Sequence, residues 1–465
     1  NSKHSTHRTM QPILTPDEMA AVDAAAPESI EELIDRAGRA VARVALEMLG
    51  GSYGRVVRVI VGKGNNGNDG RVAAGILRSR GVNVEIIDAA LAPAALPAAD
   101  LVIDAAYGTG FRGAWDAPDV GTSPVLAVDI PSGVDALTGT ISGSVIAADR
   151  TVTFQALAPG LLFGAGAQRA GTIDVVDIGL DVSAATCHRV DRADVGAWWP
   201  ERPFDAHKWQ GAVRVVAGSE EMTGAAALAA EAAARAGAGL VKLSAPGLMV
   251  ACRPEIVQTL LSAEDWSAEV LAEADRFGSL AIGPGLGRGH GTLQSVRACV
   301  ASAPQPVVVD GDGLFALAHA EGGAAGVLAG RSHPTVLTPH DGEFRELTGS
   351  LPGPDRVAAA RELAAHLECT VLLKGPTTVV ANPRGAALVV DHGDERLATA
   401  GSGDVLTGII AAGLARGLDP LRSAAAAAWL HAEAGALLPR RGMLAGDLAS
   451  TLPMALAGVL SSQWK

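Results

Sequence analysis

Cysteine is scarce in this sequence. Only four occur in 465 residues, at Cys187, Cys252, Cys299 and Cys369, and none forms a CxxC pair. That usage offers no zinc site and suits a reducing cytoplasm, the location expected here. Long apolar runs are missing too, since the Ala-rich segments are cut by Glu231, Arg235 or Glu433 before they reach membrane-spanning length. Basic residues are outnumbered, 37 Lys and Arg against 50 Asp and Glu, giving a formal charge of −13. Neither nucleic acid nor an anionic membrane is expected as a partner, and a phosphate ligand must be held by backbone loops and a few cations. The opening NSKHSTHRTM has no apolar core of signal-peptide type, so residues 1–9 are expected to be a tail or an expression remnant.

Apolar residues make up 48% of the chain against 19% charged, enough for large cores and two or three domains. In LTPDEM, Thr15, Pro16 and Glu18 carry the signature of a capped helix start. The stretch to about Leu49 reads as one or two helices. RVVRVIVG (55–62) is a β-branched run of the kind buried in a parallel sheet. A glycine loop (61–70), a helix (71–80) and further strands in NVEII (83–87), DLVIDAAYGTG (100–110) and PVLAVDIPSG (124–133) follow. This alternation predicts an open α/β sheet with ligands at the carboxyl ends of its strands. The Trp/Pro-rich AWWPERPFDAHKWQG (197–211) breaks the rhythm and places a boundary near 195–205. Beyond it, AVRVVAGS, a helix at 224–237, LVKLSAP, SLAIGPGLG, PVVVDGDG, TVLTPHDGEF and TVLLKGPTTVV build a second, different α/β domain.

In the first half, VGKGNNGNDG (61–70) sits where open sheets bind dinucleotide phosphates, without GxGxxG spacing or a P-loop ending. Turn chemistry alone reads it as an Asn/Gly turn capping a helix. Asp104 and Asp129 end two strands whose termini converge on the same edge. With Asn66 and Ser132 they form an oxygen-only set that suits a hard cation of low charge density. GNNGNDG, DAAYGTG and AVDIPSGVDALTG together resemble the YjeF N-terminal domain, the NAD(P)H-hydrate epimerase family, over about residues 10–195. The resemblance implies a Rossmann-like three-layer fold. It implies that Asn65, Asn66, Gly67, Asn68 and Asp69 with Gly108, Thr109, Gly110, Phe111, Arg112, Gly113 and Ala114 cradle the hydrated dinucleotide. Asn66, Asp104 and Ser132 match positions that hold K+, and Asp129 matches the carboxylate that touches substrate and moves the proton. The family usually has glycine where this chain has Asn68, a residue that tolerates a positive φ if one is needed.

In the second half, ATAGSGDVLTGII (398–410) embeds an acid in a glycine-rich helix start, with Gly401, Ser402 and Gly403 offering bare amides to an anion. Asp404 is either a cap or a base toward a substrate hydroxyl, as in ribokinase-like kinases. Taken alone, His340 reads as a capping residue and Lys374 as a solvated lysine. HKWQGAVRVVAGSEEMTGAAALAAEAAARAGAGLV, GPGLG, LTPHDGEF, LKGPTT and TAGSGDVLTGIIAAGLARG resemble, in order, the ADP-dependent NAD(P)H-hydrate dehydratase family over about residues 200–460. HAEAGALLPRRGMLAGDL (431–448) fits that family's C-terminal helix. The resemblance implies a ribokinase-like α/β fold in which Ala225, Gly285, His340 and Asp404 contact the substrate. Lys374, Gly375, Pro376, Thr377, Thr378 and Gly403 would then bind ADP, accompanied by Mg2+. The family's HKG reads HKW here, so Trp209 is expected to alter packing beside the ligand. Gly311 and Gly313 stand where alanines are usual and read as neutral.

Together the two resemblances imply a bifunctional nicotinamide-repair enzyme with domains at 10–200 and 201–465. One domain would interconvert the R and S forms of NADHX and NADPHX, and the other would dehydrate the S form. The chain is expected to assemble with copies of itself. The alternatives are a ribokinase-like small-molecule kinase with an accessory dinucleotide-binding domain, and a protein whose first domain only binds. A plain dehydrogenase is disfavoured, because neither glycine loop has the dinucleotide-fold spacing followed by an acid at the expected distance.

Overall fold

β-Branched runs and Ala-rich helices alternate through a computed structural model that describes residues 10–460, so the expected tail at 1–9 lies outside the described residues. The chain forms two compact units, Gln11–Cys187 and another from His188 onward. The changeover precedes the Trp/Pro-rich stretch. Val195 and Trp199, which the sequence rhythm assigns to the first domain, are buried in the core of the second unit.

In the first unit, Thr15 accepts from the Glu18 amide at 3.2 Å and Glu18 answers the Thr15 amide at 2.8 Å, opening α1 (Pro16–Ala25). A second capping box, Ser29 with Glu32, opens α2 (Ile30–Leu49), whose Val41, Val44, Ala45 and Leu49 enter the core. The strands are β1 (Val56–Val61), β2 (Asn83–Asp88), β3 (Leu101–Ala105), β4 (Val125–Val128), β5 (Arg150–Phe154) and β6 (Thr172–Val176). They lie in the order β2-β1-β3-β4-β5-β6, all parallel. Strand order therefore turns around at β1, which opens a crevice at the carboxyl ends of β1 and β3.

Helix α3 (Asn65–Ser79) begins inside the expected glycine loop rather than at residue 71. Glycine explains the difference. A Cβ on Gly67 would lie 2.1 Å from the Gly62 carbonyl oxygen, and one on Gly70 would lie 2.6 Å from the Ala105 Cβ. The motif is thus a helix start pressed onto the sheet. Asn68 takes ordinary helical backbone, so the position needs no positive φ.

In the second unit the strands are β7 (Cys187–Arg189), β8 (Ala212–Val216), β9 (Leu240–Pro246), β10 (Val257–Leu261), β11 (Ser279–Ile282), β12 (Val307–Val309), β13 (Thr335–Leu337), β14 (Thr370–Leu373), β15 (Thr378–Ala381) and β16 (Ala387–Val390). Their order is β7-β16-β15-β14-β13-β12-β11-β8-β9-β10. From β10 to β14 neighbours are parallel, and β14-β15-β16 is an antiparallel meander. The helices that matter to the site are α4 (Thr223–Arg235), α5 (Asp312–Ala318), α6 (Asp341–Thr348), α7 (Ser402–Ala415), α8 (Pro420–Ala436) and α9 (Ala445–Leu460). The 431–448 stretch is not one helix: α8 ends at Ala436 and α9 starts at Ala445, with PRRG between them.

Trp209 packs edge-on to Phe277 and under the Arg276 guanidinium, 4.3 Å from its ring centre. Phe277 precedes β11, so this tryptophan sits at the amino edge of the sheet, away from the strand ends that carry the motifs. The expectation that it alters packing beside the ligand is not met.

Helices α4 and α7 pack closely because Gly408 presents no side chain. A Cβ there would stand 2.2 Å from the Ala229 carbonyl oxygen and 2.9 Å from the Ala232 Cβ. Gly408→Ala should lower the stability of the second unit by about 1–3 kcal/mol, the usual cost of overpacking. The check is a denaturant transition followed through the buried Trp199, Trp266 and Trp429.

Candidate active sites

A cavity of about 1030 Å³ opens at the carboxyl edge of the first unit's sheet. Its wall includes Asn65, Asn66 and Asp69 from α3, Gly108 to Arg112 from the loop after β3, and Asp129 after β4. Gly67, Asn68, Gly113 and Ala114 do not line it: Gly67 packs on Gly62, and Asn68 accepts from Arg71 at 3.3 Å. Asp129 is held at φ 68, a left-handed backbone that aims its carboxylate back across the strand ends. Its Oδ2 accepts the Thr109 amide at 2.8 Å and its Oδ1 the Thr153 hydroxyl at 3.4 Å. Burial raises its pKa against those donors, and the charge of Asp23 adds. Asp69 has no donor aimed at its carboxylate among the described residues. Burial, then the charge of Asp129, push it up to about 8. Burial raises both carboxyls, and the two differ in that hydrogen-bond donors oppose the shift at Asp129 but not at Asp69.

The same unit buries the polar residues Asp104, Ser132 and Asn66. Asp104 is fully buried; its Oδ1 accepts the Ser132 hydroxyl at 2.6 Å and its Oδ2 the Ser132 amide at 2.9 Å. Asn66 is 9% exposed, and neither its Oδ1 nor its Nδ2 has a partner. A buried carboxylate with no cationic partner and a buried amide oxygen with no donor, among the described residues, suit a hard monovalent ion. The residues present fit K+.

The second site is built on Asp310, the first residue after β12. It is 3% exposed, and its oxygens accept Lys374 Nζ at 2.5 Å, the Thr338 hydroxyl at 2.8 Å and the Thr407 hydroxyl at 2.7 Å. Lys374 follows β14, and Glu343 of α6 stands 3.9 Å from its Nζ. Burial opposes the charge of Lys374, but these acids hold its pKa above the ordinary value. Lys374 is thus an ion-paired residue of the site and not a solvated lysine. A Cβ on Gly403 would lie 3.4 Å from Lys374 Nζ and 3.7 Å from Asp310 Oδ2, so the α7 start and the β14 end meet at one point.

Asp404 is the third residue of α7 and makes no capping bond. Burial, then the charge of Asp310, push its carboxyl up to about 7, with Lys374 opposing. The amides of Gly403 and Asp404 have no partner among the described residues, but the Ser402 amide donates to the Thr399 carbonyl at 3.2 Å. The anion hole is narrower than the motif suggests. The Ser402 hydroxyl bonds to Leu397 O at 2.8 Å, and the buried His431 hydrogen-bonds to the Ser402 backbone. Burial takes His431 down to about 4, so it supports the loop as a neutral ring.

The remaining expected residues surround this point. Gly285, at φ 61, would place a Cβ 2.9 Å from that of Ala225, so the two small residues keep a floor clear between β11 and α4. His340 caps α6: its Nδ1 accepts the Gly342 and Glu343 amides at 3.0 and 3.1 Å, which leaves the proton on Nε2. Gly375 and Pro376 are exposed in the β14–β15 turn, whereas Thr377 is buried and Thr378 pairs with Val390. Gly311 and Gly313 are not neutral. Gly311 takes φ 54, and a Cβ on Gly313 would meet Val309 Cγ1 at 2.8 Å. Asp310 and Asp312 were not among the sequence candidates; the signal was DGDG directly after a buried Val run. Among the described residues, no three His, Cys, Asp or Glu form a metal cage.

Comparison with known proteins adds to this geometry. The NAD(P)H-hydrate dehydratase family profile matches residues 213–456, and the profile of the YjeF-related protein N-terminus matches 30–95 and 88–160. The chain is 36% identical to a bifunctional NAD(P)H-hydrate repair enzyme of Salinibacter ruber, with 96% of each chain covered. Among solved structures, an ADP/ATP-dependent NAD(P)H-hydrate dehydratase from Bacillus subtilis, co-crystallised with ATP and Mg2+, is 30% identical at a TM-score of 0.50. The match covers 58% of this chain and 97% of that one. A ribokinase-like superfamily protein from Enterococcus faecalis V583 matches at a TM-score of 0.52 with 23% identity, covering 59% and 96%, and shows the fold.

Removing the charge of Asp310 tests the second site. Asp310→Asn strands the ammonium of Lys374 and should destabilise the unit by on the order of 3 kcal/mol in a denaturant titration. It should also lower the pKa of Asp404, because the Asp310 charge helps to raise it. A pKa that stays near 7 by NMR titration contradicts the coupling.

Proposed function

The chain belongs to the bifunctional NAD(P)H-hydrate repair enzymes, and we propose how its two units divide that work. The enzyme epimerises the R and S forms of NAD(P)HX and dehydrates the S form to NAD(P)H, consuming a nucleoside phosphate with Mg2+. An S-specific dehydratase alone would strand the R epimer, which explains why both units share one chain.

In the second unit, Asp404 is the base toward the C6 hydroxyl of S-NAD(P)HX. The single observation that carries this reading is a half-buried, uncapped carboxylate beside unpartnered amides and Lys374 at one helix start. Asp404 takes the hydroxyl proton, and the oxygen attacks the terminal phosphoryl of ADP, releasing AMP. The Gly403 and Asp404 amides meet the charge on the transferring group. Phosphate then leaves C6 with the bonding electrons, the neighbouring carbon loses a proton, and the reduced ring returns. Mg2+ bound with the nucleotide would supply charge to its phosphates, which Lys374 supplies less of because Asp310 and Glu343 already engage it. Lys374, Gly375, Pro376, Thr377, Thr378 and Gly403 would hold the nucleotide, and Ala225, Gly285 and His340 the hydrated substrate.

In the first unit, Asp129 moves the proton as the C6 substituent leaves and returns. Asn65, Asn66, Asp69 and the Gly108–Arg112 loop hold the dinucleotide. Asn66, Asp104 and Ser132 would hold K+, whose charge offsets the buried Asp104. Four free cysteines support a cytoplasmic location, and no described helix is long and apolar enough to cross a membrane. The net charge of −13 supports small-molecule partners over nucleic acid. Val257 and Leu260, 47% and 53% exposed on the edge strand β10, support an assembly of identical chains.

A mixture of R- and S-NADHX with ADP and Mg2+ separates the two activities by NADH absorbance. Wild type converts both epimers; a halt once S is spent leaves only the dehydratase. Asp404→Asn should cut NADH recovery by about 10² or more while epimerisation continues, and Asp129→Ala should do the reverse. Dehydration should rise tenfold per pH unit up to about 7 and then level, because Asp404 acts only when deprotonated. A rate flat from pH 5 to 8 contradicts that assignment.

A further inference from the structure

Asp88 is the last residue of β2, and its carboxylate belongs to none of the roles above. It lines the same cavity as Asp129, together with Ala89, Ala90, Gly62 and Lys63. Its Oδ1 accepts the Ala90 amide at 2.9 Å, which fixes the side chain at the strand end, and Oδ2 has no partner among the described residues. No lysine or arginine pairs with it among the described residues. Arg71 of α3 donates instead to the Gly62 carbonyl at 3.0 Å and to Asn68. The glycine motif is irregular, but Asp88 follows Gly70 by 18 residues, close to the roughly 20 of a dinucleotide fold.

The sheet order puts β2, β1, β3 and β4 side by side, so Asp88 and Asp129 end strands three spacings apart, about 14 Å. That span is comparable to the reach of an extended dinucleotide. Between them lies the start of α3, a fifteen-residue helix whose Gly64 cap gives no side-chain bond and whose first turn carries no acid. At that turn Asn66 is buried and unpartnered, which marks the cavity floor as a ligand surface. A dinucleotide with its hydrated ring at Asp129 lays its pyrophosphate over the α3 amides and brings its far ribose to Asp88.

We propose that Asp88 is the adenosine-ribose subsite of the epimerase unit and makes that unit select NADHX over NADPHX. The inference rests on the epimerase reading of the cavity. A carboxylate with a free oxygen accepts the ribose 2′-hydroxyl, whereas a 2′-phosphate meets like charge at short range. Lys63, in the turn before α3, faces the pyrophosphate and favours both substrates alike.

Epimerisation of R-NADHX and R-NADPHX is measured on the full chain without nucleotide, so that dehydration is silent. Wild type should show a KM for NADPHX about tenfold above that for NADHX, the scale of one screened charge repulsion. Asp88→Asn, which keeps an acceptor for the Ala90 amide, should close most of that gap by lowering the NADPHX value. Asp88→Arg should invert the preference, with folding checked by circular dichroism. Lys63→Ala should weaken both substrates together. Equal KM values in wild type, a preference for NADPHX, or a Lys63→Ala loss confined to NADPHX overturns the inference. Absence of epimerisation with either substrate instead overturns the reading on which it rests.

Discussion

The buried carboxylate of Asp310 is the interaction on which the second unit's site depends. Three elements reach it: the end of β13 through Thr338, the end of β14 through Lys374, and the first turns of α7 through Thr407. A lone anion this deep is costly, so its three donors set where those elements meet. The same charge raises the pKa of Asp404 and holds Lys374 protonated, so one residue fixes both geometry and proton balance. Gly408 completes the constraint from behind by letting α7 lie flush on α4.

The first unit solves a similar problem without a lysine. Among the described residues Asp104 is buried with only the hydrogen-bond donors of Ser132 and Ala106 at its oxygens, and Asn66 is buried and unsatisfied. Both sites place an acid near a buried anion at the carboxyl edge of a parallel sheet. The difference is the compensating charge, an ion pair in one unit and, on this account, a monovalent cation in the other. That contrast follows from the chemistry expected of each. Phosphoryl transfer benefits from a fixed cation beside the anion hole, whereas epimerisation needs a carboxylate pair poised to exchange protons.

Much of this was legible in the sequence. Alternating Val-rich runs and helices gave the two α/β units, and LTPDEM gave the capping box that opens α1. Asp129, Asp404, Lys374 and Gly403 stand where their motifs put them, at strand ends or a helix start. What was not legible depends on packing. GNNGNDG read as a loop because its glycines are turn formers, yet Gly67 and Gly70 serve a helix pressed against backbone. Asp310, Asp312 and Asp88 passed unnoticed because an acid after a strand is ordinary until topology brings it into a site. Trp209 belongs to a motif expected beside the ligand, yet its ring packs on Phe277 and Arg276 at the opposite edge of the sheet.

The central claim is that the kinase-like loop activates a hydroxyl for departure, so the phosphorylated species is an intermediate. The most direct measurement follows the oxygen. S-NADHX carrying 18O in its C6 hydroxyl is turned over with ADP and Mg2+, and the released phosphate is analysed by mass spectrometry. The account predicts one 18O in each phosphate, because the oxygen that attacks phosphorus is the one that leaves carbon. Unlabelled phosphate, with the 18O recovered in water, would contradict it.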